Sequence, residues 1–116
     1  MKYYAKITGI GESALELLEN NLLIIFNENA PPELAELSVL HTIEPLLDKI
    51  CPNDTLIISE NVFTINAVGE EANYTLKELG HCSIKFGGEK EVLPGYIRVA
   101  ESAPTNIQIG STIEIH

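Results

Sequence analysis

The chain opens on an alternation. Tyr3, Ala5 and Ile7 fall on one side and Tyr4, Lys6 and Thr8 on the other, the period-two pattern of a half-buried strand reaching Ile10. Gly9 and Gly11 loosen its end. Ser13-Ala14-Leu15-Glu16 then has the spacing of a capping box. With Leu15, Leu18 and Leu22 at helical intervals it predicts a helix over about 13–19, closed at Asn20-Asn21. Leu22 to Phe26 is a continuous apolar run of strand length. Asn27 to Pro32 reads as a polar turn, and Glu33 to Glu36 as one helical turn after the prolines. Leu37 to Thr42 predicts a strand with His41 near its end. Ile43, Leu46, Leu47 and Ile50 fall on one helical face, which predicts a short helix if Pro45 lies in its first turn.

The second half is punctuated more sharply. Pro52-Asn53-Asp54 is a turn, and Thr55 to Ser59 and Val62 to Val68 form a hairpin around Glu60-Asn61. Glu70 and Glu71 suit the positive end of a helix that runs to Leu79, with Ala72, Leu76 and Leu79 inward and Gly80 as its left-handed cap. Strands follow at Cys82 to Phe86, Tyr96 to Ala100 and Thr112 to Ile115, separated by Gly87-Gly88-Glu89-Lys90 and Ala103-Pro104-Thr105. About seven short strands with two or three short helices predict a mainly β fold, a small closed barrel or sandwich-like domain.

Composition narrows the picture. A chain of 116 residues fits one domain, here 1–116, and leaves little room for two. Its apolar residues are mostly Ile, Leu and Val, so the core is expected to be aliphatic. Seventeen acids against seven bases give a net charge of −10. That field repels nucleic-acid phosphates and anionic lipid, and it suits a basic patch on a protein partner. No apolar run is long enough to span a bilayer, and Met1 to Thr8 lacks a signal-peptide pattern. With two cysteines, Cys51 and Cys82, the expectation is a cytoplasmic protein with free thiols.

Enzyme signatures are sparse. The chain lacks a phosphate-binding glycine loop before a helix, a nucleophile elbow and a zincin motif. His81 and Cys82 are adjacent and would point to opposite faces of a strand, so no metal site is expected. Cys82 in an apolar strand pattern reads as packing. The carboxylates are scattered over turns and helix faces. The histidines remain. His116 is terminal and expected to fray, and His81 follows a helix cap. His41 ends an apolar strand, where a side chain can be held rigidly and still face solvent.

Three blocks carry a resemblance. They are Leu22-Leu23-Ile24-Ile25-Phe26 through Ala30-Pro31-Pro32-Glu33-Leu34 to Ser38-Val39-Leu40-His41; Ile65-Asn66-Ala67-Val68-Gly69 with Leu76-Lys77-Glu78-Leu79-Gly80-His81; and Phe86-Gly87-Gly88 with Leu93-Pro94-Gly95. Together they resemble the IIA component of the glucitol/sorbitol-specific phosphotransferase system. The resemblance implies a relay component rather than a stand-alone enzyme. It would take a phosphoryl group from the phosphocarrier HPr on His41 and pass it to a IIB domain, for uptake of glucitol/sorbitol or a related polyol. His81 would be auxiliary. No cofactor, nucleic acid or membrane insertion is implied, and homodimerisation is left open. The alternative is a related β-barrel module that binds or regulates outside the relay. A neutral imidazole attacks and leaves readily, and backbone N–H donors at turns or helix starts, or His81, are expected to neutralise the transferring charge.

Overall fold

The structure, a computed structural model, describes residues 1–89 and 91–116. Eight strands, β1 (Tyr3–Ile10), β2 (Leu22–Asn27), β3 (Val39–His41), β4 (Thr55–Ile58), β5 (Asn61–Val68), β6 (Cys82–Lys85), β7 (Tyr96–Val99) and β8 (Thr112–Ile115), alternate with three short helices. The helices are α1 (Ala14–Glu19), α2 (Pro32–Ala35) and α3 (Ala72–Leu79). The strands close into a barrel in the order β1-β3-β2-β6-β7-β5-β4-β8. The sequence pattern leads to the mainly β class and to closure, with one strand more than it counts. The turn over Gly87-Gly88-Glu89-Lys90 is described through Glu89, and Lys90 lies outside the described residues.

Closure removes every free edge and turns each strand's alternation into an inside and an outside. Tyr3, Ala5, Leu23, Ile25, Leu56, Ile58, Phe63, Ile65, Ile113 and Ile115 point inward and are almost fully buried. β1 would lose this parity near its end, but a bulge restores it. Ile7 pairs with His41 and Ile10 with Val39, with the register shifting between Ile7 and Gly9. The extra residue lets Ile7 and Ile10, of opposite parity, both meet the core. The β4–β5 turn is a two-residue loop in which Ser59 (φ 47°) and Glu60 (φ 72°) both adopt left-handed backbone, the geometry that matches strand twist.

Three local expectations are corrected. No helix forms over 43–50. The segment runs extended past β1, where the Leu47 N–H donates to the Lys2 carbonyl at 2.8 Å. Of the four apolar residues only Ile50 is fully buried while Ile43 and Leu47 face solvent, so no apolar stripe holds a helix against the barrel. Ser13 stands at the N-cap of α1 without a side-chain cap bond; its own N–H is tied instead to the Glu36 carbonyl. Leu79 is exposed, because α3 lays only Ala72 and Leu76 on the barrel.

Tyr3 is a core residue with a polar tip. Among the described residues its hydroxyl is buried without a hydrogen-bond partner. Burial, and then the charge of Glu44, hold the phenol well above its ordinary pKa, so it stays neutral. Removing an unpaired buried hydroxyl relieves a desolvation cost. Tyr3→Phe should leave stability unchanged or raise it by up to about 1 kcal/mol. Leu56→Ala, which opens a cavity, should cost about 2–5 kcal/mol. Urea titrations measure both, and a clear loss in Tyr3→Phe would show that the hydroxyl is bonded in solution.

Candidate functional site

One end of the barrel interior is polar. In β2 the inward positions are Leu23, Ile25 and Asn27, and in β3 they are Val39 and His41. The two strands are parallel, with Ile25 beside Val39 and Asn27 beside His41. Two apolar rows therefore end on two polar side chains, about 4.8 Å apart across the sheet.

His41 is the ring at the centre of this end. Its exposure is 0%, which corrects the expectation of a solvent-facing strand end. The reason is parity: His41 is two residues from the fully buried Val39, so it shares the interior face. Nδ1 lies 2.8 Å from the Thr42 carbonyl oxygen and Nε2 lies 2.8 Å from the Gly80 carbonyl oxygen. The ring meets Tyr3 edge-on, centroids 6.0 Å apart. A neutral imidazole has one N–H and satisfies one of the two carbonyls. In the tautomer protonated on Nδ1, the N–H donates to Thr42 and the Nε2 lone pair faces the Gly80 oxygen.

Gly80 reaches His41 because α3 ends there. Its N–H donates to the Leu76 carbonyl at 2.9 Å, and its φ of +63° makes the left-handed cap that the sequence predicts. A Cβ on Gly80 would stand 1.9 Å from Asn27 Oδ1 and 2.8 Å from His41 Cε1. Glycine is thus required twice, by φ and by space. The helix end that meets His41 is a carbonyl end, not the donor-bearing helix start expected for a phosphoryl site.

His81 is near in sequence but faces elsewhere. Its ring packs on Phe26, centroids 4.7 Å apart, with Nδ1 3.4 Å from the Ile25 carbonyl oxygen. Phe26 has the opposite parity to Asn27, so the two histidine rings lie on opposite faces of β2. The structure brings His41 and His81 together through Gly80 alone. His116 is not frayed: its backbone exchanges two 2.9 Å hydrogen bonds with Thr55, and its ring Nε2 lies 2.9 Å from Glu114 Oε1 rather than against His41. Among the described residues no cluster of three His, Cys, Asp or Glu side chains is arranged to hold a metal ion.

Asn27 was missed by the sequence reading, which assigns it to a turn. It is the last residue of β2, 8% exposed, and among the described residues its Oδ1 has no hydrogen-bond partner. The signal was available, since Leu23-Ile24-Ile25-Phe26-Asn27 continues the inward alternation by one step.

Comparisons with known proteins agree in direction. The family model described as PTS system glucitol/sorbitol-specific IIA component matches residues 2–114. The PTS system glucitol/sorbitol-specific EIIA components of Escherichia coli (strain K12) and Shigella flexneri are each 34% identical over 113 residues, covering 97% of this chain and 92% of theirs. The crystal structure of a PTS system IIA component from Enterococcus faecalis V583 superposes with a TM-score of 0.85 at 25% identity, covering 97% of this chain and 98% of that one.

Two outcomes test the geometry. Gly80→Ala should destabilise the chain by at least about 1–2 kcal/mol, the cost of left-handed backbone alone, with the clash against Asn27 added; thermal unfolding reads it. The buried Cys82 thiol is pushed up to about 12 by desolvation and should resist alkylation at pH 8 in the native state, whereas the part-exposed Cys51 reacts. Counting modified thiols by mass checks this, with two expected only after unfolding.

Proposed function

Because this chain belongs to the glucitol/sorbitol-specific IIA family of the phosphotransferase system, we propose that His41 carries the phosphoryl group. The chain is a phosphocarrier of that system. In this proposal the donor is phospho-HPr, the recipient is a IIB domain on the cytoplasmic side, and the sugar served is glucitol/sorbitol or a related polyol. Among the described residues no helix is long and apolar enough to cross a membrane. Two surface cavities of about 450 Å³ are lined by other residues than His41.

The observation that carries the reading is the 2.8 Å contact of His41 Nδ1 with the Thr42 carbonyl oxygen. A proton held there fixes the tautomer and leaves Nε2 as the nucleophile. The Nε2 lone pair attacks the phosphorus of the donor's phosphohistidine. The donor's N–P bond breaks, its electron pair stays on the donor ring, and the His41 proton remains on Nδ1, hydrogen-bonded to the Thr42 carbonyl. Attack requires the Gly80 carbonyl to turn aside. A glycine peptide rotates with the least steric resistance, and the far edge of this peptide is the His81 N–H, held to Thr75 by a 3.2 Å bond. Rotation removes an acceptor from Nε2 and presents a donor to the phosphoryl oxygens. His81 then acts through its backbone and by anchoring the turn on Phe26.

One observation favours a second reading. The His81 ring is part-exposed with Nδ1 toward the Ile25 carbonyl, whereas His41 is fully buried. The alternative of a barrel module outside the relay has no observation in its favour.

Incubation with phosphoenolpyruvate, enzyme I and HPr decides. His41→Ala should abolish labelling, and His81→Ala, which keeps the backbone N–H, should label more slowly. Labelling that survives His41→Ala and vanishes in His81→Ala selects the second reading.

A further inference from the structure

The acceptor site holds a polar side chain with no assigned task. Asn27 is the inward neighbour of His41 across the parallel β2–β3 pair, and it is more than nine-tenths buried. Its Oδ1 has no hydrogen-bond partner among the described residues. The backbone around it is satisfied: the Asn27 carbonyl accepts from the Ala30 N–H at 2.9 Å, and the Glu28 N–H donates to the His41 carbonyl at 2.8 Å. Only the carboxamide is left over.

Its position is specific. Asn27 Oδ1 and His41 Cε1 both crowd the point where a Cβ of Gly80 would stand. Cε1 is bonded to both ring nitrogens, so the amide lies beside the ring edge that carries them. A buried polar atom without a partner disfavours the resting fold, and an apolar side chain of similar size would not carry that cost. Such a group finds its use in another state of the site. A carboxamide turned by half a rotation keeps its shape and exchanges an acceptor for two N–H donors.

Resting on the assignment of the phosphoryl group to His41, we infer that Asn27 is a catalytic donor for the transfer. When Nε2 becomes bonded to phosphorus and the Gly80 carbonyl has moved, the Asn27 Nδ2–H donates to a phosphoryl oxygen. The donor's N–P bond breaks as the Nε2–P bond forms, and the charge spread over the phosphoryl oxygens meets a fixed dipole in a site shielded from water. Asn27 thereby supplies, from the strand beside His41, the donor that the carbonyl end of α3 does not.

The test uses the full chain with phospho-HPr. Asn27→Leu should fold with a Tm equal to or above that of the parent, since no hydrogen bond is lost, yet accept the phosphoryl group at least about tenfold more slowly. Asn27→Asp, isosteric but without the N–H₂ donors and able to carry charge, should be slower still and should lose its phosphoryl group faster. In the parent chain the Asn27 side-chain NH₂ resonances should shift on phosphorylation, a readout that packing alone would not produce and that needs no variant to fold. Phosphoryl mapped to His41, with the NH₂ resonances unmoved and variants within about twofold of the parent, overturns the Asn27 assignment and leaves the acceptor assignment standing. Phosphoryl mapped to His81, with His41→Ala fully active, overturns both.

Discussion

The imidazole of His41, fully buried between two carbonyl oxygens, is the constraint around which this end of the barrel is arranged. In its neutral form the ring donates to only one of Thr42 and Gly80, which leaves the other nitrogen set against an oxygen. Low dielectric makes that conflict expensive to leave and easy to exploit. It is tolerable because the opposing carbonyl belongs to a glycine at a helix cap, where the backbone can change direction. In the proposed transfer this arrangement is the closed resting state, and its release exposes the nucleophile.

The rest of the fold holds that ring in place. The bulge in β1 keeps Ile7 against His41 while Ile10 stays on the core. The parallel register of β2 and β3 sets Asn27 beside it. α3 contributes its last turn, and its apolar contacts, Ala72 and Leu76, fix where Gly80 ends up. Phe26, on the outer face of β2, packs against His81 and pins the following chain. Each support comes from a different stretch of sequence, so the site exists only when the barrel is closed. The polar groups gathered there are one imidazole, one carboxamide and backbone carbonyls, in a chain with few basic residues.

Much of the fold was legible because strands write themselves in a period of two. The Gly80 cap and the termini of β1 and β8 follow from local chemistry, whereas the hairpin expected around Glu60-Asn61 turns one residue earlier, at Ser59-Glu60. The segment 43–50 misled because four apolar residues at helical spacing look alike whether they pack on one face or serve a strand-like extended run; only the neighbouring Lys2 carbonyl and the core under Ile50 separate the two. Leu79 misled for a related reason. It continues the helical stripe, but the barrel surface under α3 ends before reaching it.

By itself the sequence determined the strands, the aliphatic core and the left-handed turn at Gly80, all properties of residues within a few positions of one another. Tertiary structure decided which way His41 faces, that Gly80 and Thr42 bracket its two nitrogens, that His81 lies across β2 from it, and that Asn27 is its neighbour. The reason is physical. Parity and capping are local and repeat along a chain, whereas the partner of a buried polar atom is set by strand order and register, which arise only when distant segments close into one barrel.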